Sequence, residues 1–174
     1  MFIYLIIGLA IISRLIPHIP NAGVITALAI FSAAYLPKKQ AIVIPLAVRL
    51  ISDLIIGFFS WPLMIAVYAS HLSGVLFGLW IKGAKQSNRW LKIVFSGLGS
   101  ASIFFLVTNF AFLYPEYPHT MTGIMQSYIN ALPFLRGTMV GDIGYVVSLF
   151  TVYELAKYLI GNRAKKNILI AEKI

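Results

Sequence analysis

The chain has 174 residues, 60% of them hydrophobic and only 11% charged, with a mean hydropathy of +0.88. A soluble domain is about 45–50% apolar and about 25% charged, so the composition excludes an ordinary soluble fold and predicts one integral membrane domain over residues 1–174. The formal charge of +9 is gathered at Lys38 and Lys39, at Lys82, Lys85, Arg89 and Lys92, and at Arg163, Lys165, Lys166 and Lys173. Each cluster lies between or after apolar segments, the pattern of cytoplasmic loops in a membrane protein and not of a nucleic-acid-binding surface.

A spanning helix needs about 20 mostly apolar residues, within a range of about 17–25. The first predicted span covers residues 1–16 and stops at Pro17 and Pro20, which remove backbone donors and disfavour helix. It has neither a basic leader nor a small-residue cleavage pattern, so it is expected to be a retained helix and not a signal peptide. Asn21 is placed to cap the second span, 22–36. The third span, 41–57, carries Pro45, Arg49 and Asp53 and must turn one side toward protein or water. A charge-free aromatic turn, Phe58 to Pro62, leads into the fourth span, 63–81. The fifth, 93–114, opens with Gly97 and Gly99 among serines, a composition that favours close helix approach. Residues 121–132 read as a short interfacial or re-entrant helix ended at Pro133, and 137–160 as the sixth span.

The fold class expected is therefore an all-α membrane protein of six transmembrane helices plus that short extra helix. An even number of spans puts both termini on one side. The basic loops put that side in the cytoplasm, and the location expected is a bacterial cytoplasmic membrane. Cysteine is absent, which excludes disulfides and thiolate-ligated metal. No P-loop, G-x-S-x-G or H-E-x-x-H motif is present, and the chain reads as neither an enzyme nor the holder of a cofactor.

Polar groups within hydrocarbon are costly and usually line a cavity or pair with each other. With a rise of about 1.5 Å per residue, Asp53, Arg49, Tyr68, His71, Asn109 and Asp142 fall within roughly 6–12 Å of the outer ends of their spans. Arg14, His18, Asn21 and Arg136 lie at the outer junctions. These ten residues form the predicted substrate site, a polar pocket open to the outer face. Tyr128, Tyr145, Trp61 and Phe110 are candidate aromatic walls. A structural reading stands beside it: Arg49 and Asp53 neutralise each other at i,i+4, Arg14 or Arg136 pairs with Asp142, and Asn109 joins two helices. In the inner half, Glu154 and Lys157 are expected to pair at i,i+3. His18, His71 and His119 all map outward, and three imidazoles can bind a transition metal, although none has local ligand spacing.

Several strings, taken in order, carry a resemblance: residues 14–21 (RLIPHIPN), 27–31 (ALAIF), Ser52-Asp53-Leu54, Thr108-Asn109-Phe110, and 132–134 (LPF) through Gly141-Asp142. They resemble a family of small bacterial integral membrane proteins that is similar to the substrate-binding S components of energy-coupling-factor (ECF) vitamin transporters. The resemblance covers nearly the whole chain. It implies a six-helix S-component-like bundle with a ligand pocket near the outer face, partnered by a coupling subunit with ATPases. S components typically dock through small residues at A-x-x-x-A spacing on the first span. This chain has Gly8 and Ile12 there, and carries the spacing instead at Ala29 and Ala33 and at Gly74 and Gly78.

The function expected is a substrate-binding membrane subunit for uptake of a small polar molecule, a vitamin or cofactor precursor. Its partners would be the lipid bilayer, the ligand and an ECF-type coupling module, with no nucleic acid. The alternatives are a metal-ion or metal-cofactor permease and a non-transporting membrane scaffold or assembly factor.

Overall fold

A computed structural model describes residues 2–15 and 24–171; side chains beyond Asn162 and several in the first helix, Arg14 among them, lie outside the described set. Within it the protein is all-helical, with α1 (Phe2–Leu15), α2 (Ile25–Tyr35), α3 (Lys38–Ile56), α4 (Trp61–Lys82), α5 (Arg89–Thr108) and α6 (Met121–Ala171). Short 3₁₀ turns precede α5 and follow it.

The helices are inside out relative to a soluble protein. Large apolar side chains such as Leu50, Ile51, Leu54, Ile55, Ile65 and Leu76 cover the outside, while Asp53, His71, Ser96, Ser100 and Asp142 are buried. A soluble monomer seldom exposes apolar surface on this scale; hydrocarbon is the solvent that suits it. Three helical segments, Trp61–Lys82, Gln86–Thr108 and Met121–Asn162, are long and apolar enough to cross a membrane. The chain therefore has the build of a membrane-associated protein.

The other three predicted spans are corrected in detail. The helix α1 has 14 residues and α2 has 11, so at about 1.5 Å per residue α2 is only ~16 Å long, half a hydrocarbon core of about 30 Å. Prolines and polar residues on both sides shorten it. The helix α3 has the length, at 19 residues, but it carries Lys38, Lys39, Arg49 and Asp53.

What α2 lacks in length it has in burial. Ten consecutive residues, Ile25 to Ala34, are buried, and the helix is the axis around which α3, α4 and α6 pack. Phe31 and Tyr35 meet Phe150 and Tyr153 of α6 with ring centroids 4.2–5.6 Å apart. On the opposite side α4 lies almost backbone to backbone against α2. A Cβ at Gly74 would stand 3.0 Å from the Thr26 carbonyl oxygen and 3.1 Å from Ala29 Cβ, and one at Gly78 would collide with the Ile30 carbonyl and Ala33. The two small-residue pairs therefore pack on each other. They form the α2–α4 seam and are not a surface for a partner.

Pro133 does not end a helix: α6 runs without interruption through 51 residues. Carrying the helix through a proline forfeits one backbone hydrogen bond and some steric ease. Breaking it would strand up to four donors and four acceptors at new termini, which is worse where water is scarce. Pro45 is accommodated inside α3 in the same way.

The helix α5 stops six residues before its predicted end, and side chains complete its last turn. The carbonyl of Phe105 accepts the Asn109 amide at 2.9 Å, that of Leu106 accepts the Tyr128 hydroxyl at 2.6 Å, and that of Thr108 accepts the Tyr114 hydroxyl at 2.6 Å. The Phe105 carbonyl also takes the Asn109 backbone N–H at 3.3 Å; of the four carbonyls that a helix C-terminus leaves open, those of Leu106 and Thr108 are thus satisfied, and the chain can turn away toward Pro115 and Pro118. Burial, with lesser effects from Glu116 and Tyr117, raises the Tyr114 hydroxyl above its ordinary pKa.

Candidate functional site

At the end of the bundle that carries the α3–α4 turn and the α5–α6 loop, a cavity of ≈ 250 Å³ opens between α3, α4, α5 and α6. Its walls are aromatic: Phe59 from the turn, Phe104 and Phe105 from α5, Tyr114 from the loop and Phe134 from α6, with Leu63, Val67, Thr108, Asn109 and Thr138 between them. Arg49 is the one charged residue among them. A second chamber of ≈ 260 Å³ adjoins it, sharing Asn109, Tyr114 and Phe134, and is completed by Glu116, Tyr117, Ser127, Asn130 and Ala131.

Arg49 is positioned by its neighbours. Its Nε donates to Asp53 Oδ2 at 2.8 Å, one helical turn along α3, and the Tyr68 hydroxyl of α4 donates to the same oxygen at 3.0 Å. The guanidinium carbon stands 5.6 Å from the Phe59 ring centroid and 5.9 Å from that of Tyr68, within cation–π range. Asp53 is 2% exposed. The carboxylate anchors Arg49 in place. The guanidinium also interacts with the Tyr68 hydroxyl, and with five donors in all it has more than these partners use.

A second polar group lies one helical turn deeper. His71 Nδ1 is 2.9 Å from Thr26 Oγ1, and the His71 ring packs against Phe104 at 5.2 Å. The Thr26 hydroxyl also faces the Asp142 carboxyl. Asp142 is 3% exposed, and its Oδ2 has no hydrogen-bond partner among the described residues. Thr26, His71 and Asp142 thus join α2, α4 and α6 in a polar layer beneath the cavity floor formed by Val67, Phe104 and Thr138.

The ten predicted site residues separate accordingly. Arg49 and Asn109 line the cavity; Asp53 and Tyr68 hold Arg49; His71 and Asp142 belong to the deeper layer. Arg136 is exposed on α6 and joins neither group. Six residues before Asp142 it points to a different side of the helix, so the two do not pair. His18, Asn21 and the Arg14 side chain lie outside the described residues. Asn109 also caps α5, which explains part of its presence without any ligand.

The predicted aromatic walls are replaced. Trp61 is 74% exposed and Tyr145 packs into the core. Phe110 stacks on Phe112, and Tyr128 caps α5. The lining that sequence reasoning missed was within reach of a helical step. Phe134, Thr138 and Asp142 repeat at i, i+4 and i+8 on one face of α6, and Phe105 lies one turn before Asn109.

His18 lies outside the described residues, and His71 and His119 have separate surroundings. His71 is buried in the deeper layer and His119 stacks on Phe112 at 4.4 Å. Among the described residues no group of three His, Cys, Asp or Glu is arranged to hold a metal ion.

At the opposite end of the bundle, Glu154 is paired elsewhere than predicted. Its Oε1 accepts the Tyr35 hydroxyl at 2.7 Å and lies 3.4 Å from Arg89, while Lys157 is exposed. Position on the face toward α2 outweighs the local i,i+3 spacing.

Among known families, the profile described as "Family of unknown function (DUF6580)" matches residues 1–165, nearly the full length. The chain belongs to this family. No curated protein and no solved structure matches it.

Proposed function

We propose that this DUF6580 protein is a substrate-binding membrane subunit for uptake of a small polar organic molecule, and that the aromatic cavity beside Arg49 is its ligand site. The observation that carries this reading is the state of Arg49. A cation is held in place by a buried carboxylate and a tyrosine, and it lines the wall of a cavity with more donors than those two partners use. Small-molecule sites are typically concave and apolar with a few placed polar groups, and an arginine fork suits a carboxylate or phosphate. In this reading six helical segments form an S-component-like bundle. The basic clusters at residues 38–39, 82–92 and 163–173 face the cytoplasm, and the cavity faces outward. A vitamin or cofactor precursor with an acidic group is the class of ligand expected.

An energising partner of the ECF type is compatible with this reading, but it would have to dock elsewhere than the Ala29/Ala33 and Gly74/Gly78 pairs, which are consumed in the α2–α4 seam. The metal-permease alternative draws no support from the separated His71 and His119. The test is a thermal-shift screen of the purified protein against vitamins, their acidic precursors and divalent metals, followed by uptake in cells that express it. Binding stabilises the folded state in proportion to ligand saturation. A ligand should raise the melting temperature of the wild type and lose this effect with Asn109→Ala or Phe134→Ala. A ligand that stabilises every variant equally, or a protein that binds nothing across the screen, would leave a membrane scaffold as the better reading.

A further inference from the structure

We propose that the two adjoining chambers are one two-ended site, and that its ligand is a small zwitterion with its anionic group at Arg49 and its cationic group at Glu116. This inference rests on the reading of the Arg49 cavity as a ligand site. Asn109, Tyr114 and Phe134 are walls of both chambers, so a single molecule can reach from one into the other. Among the described residues, the charged residue that lines the first is Arg49, and the one that lines the second is Glu116.

In the first chamber the charged donors are those of the guanidinium; the Thr108 hydroxyl and the Asn109 amide there already donate to the carbonyls of Phe104 and Phe105. In the second chamber acceptors stand beside the one charged group, a carboxylate. Asn130 donates its amide to the Tyr117 hydroxyl at 3.1 Å and Ser127 donates its hydroxyl to the Ile124 carbonyl at 2.9 Å. The Asn130 carbonyl oxygen and the Ser127 lone pairs therefore remain beside the Glu116 carboxylate. Three acceptors suit an ammonium, which has three donors and no acceptor.

Glu116 forms no ion pair among the described residues and is exposed at the chamber wall. A ligand with one charge would satisfy one end and leave the other facing an apolar or neutral group. A ligand with both satisfies both, and the aromatic rings between the ends accept its unsaturated or aliphatic body. Removal of the charge at one end is a loss confined to the matching group of the ligand, which makes the arrangement separable by experiment.

The test uses the full chain in nanodiscs of a zwitterionic lipid, with equilibrium binding measured at pH 7 for three probes of similar body: 4-(aminomethyl)benzoate, benzoate and benzylamine. The expected result is that 4-(aminomethyl)benzoate binds at least tenfold more tightly than either one-ended probe. Glu116→Gln, at an exposed position that folding does not depend on, should reduce its affinity to that of benzoate while leaving benzoate unchanged. Arg49→Lys, which keeps a cation beside Asp53, should weaken both carboxylates and spare benzylamine. If benzoate binds as tightly as the zwitterion, or Glu116→Gln changes nothing, the second end is wrong and the Arg49 cavity stands as a simple anion site. If none of the three binds, the two-ended site is overturned, and the wider screen described above decides on the cavity independently.

Discussion

Asp53 shows what a carboxylate needs in order to stay inside an apolar bundle. It receives the Arg49 Nε–H and the Tyr68 hydroxyl on one oxygen, and its burial is nearly complete. Replacing it by asparagine keeps the shape and removes the charge that the guanidinium faces. Hydrogen bonds to charged groups contribute about 1.5–3 kcal/mol, so Asp53→Asn should lower stability by about that amount. Tyr68→Phe removes a single hydrogen bond, worth about 1 kcal/mol, and should cost less. Thermal unfolding in detergent measures both, and an unchanged midpoint for Asp53→Asn would show that Arg49 is held by the rings alone. The i,i+4 spacing made this pair legible in the sequence. The spacing of Glu154 and Lys157 was equally suggestive and misled, because a residue on the α2-facing side of α6 meets Tyr35 and Arg89 first. Local spacing says which residues can meet, and burial decides which do.

Among the elements, α2 and α4 are bound by the absence of side chains. A methyl group at Gly78 would have to displace the Ile30 carbonyl and Ala33, whereas one at Gly144 would meet nothing. Overpacking costs typically 1–3 kcal/mol, so Gly78→Ala should destabilise by about 2 kcal/mol. Gly144→Ala, in open space inside α6, should be neutral or stabilise by about 0.5–1 kcal/mol through the lower backbone entropy of alanine. Equal effects of the two substitutions would contradict the seam.

The uninterrupted course of α6 is checked separately. The natural chain has no cysteine, so spin labels at Met125→Cys and Gly144→Cys report on it cleanly. Nineteen residues of unbroken helix separate them by about 28 Å. A mean distance below ~20 Å would require a break at Pro133. The sequence pattern located all six helices, but it overestimated α2 and α5 and divided α6, since proline and side-chain caps act through neighbours that periodicity does not contain.

Among the described residues, polar groups such as Asp53, His71 and Asp142 are inside and large apolar groups outside, and Lys38, Lys39, Lys82, Lys85, Arg89 and Lys92 lie at the end opposite the Arg49 cavity. In the orientation proposed, single cysteines at Ser87 and Glu116 should react with an impermeant reagent from opposite faces of the membrane, with Glu116→Cys labelled from outside. Labelling from the same face would overturn the six-segment topology.

Composition alone determined the membrane character of the chain. The burial cost of charge is large enough that 60% apolar residues with basic clusters between apolar segments have few other solutions. Helical content was also legible, because it follows from spacing along one chain. Which polar residues share a cavity was decided only by the tertiary structure. Depth is set by counting along a helix, but facing is set by the rotation of each helix against its neighbours. That rotation depends on contacts such as Gly78 on Ile30 and Phe31 on Phe150, which are remote in sequence. It places Arg49 and Asn109 in the cavity, sets Asp142 and His71 one turn beneath it, and turns Arg136 away.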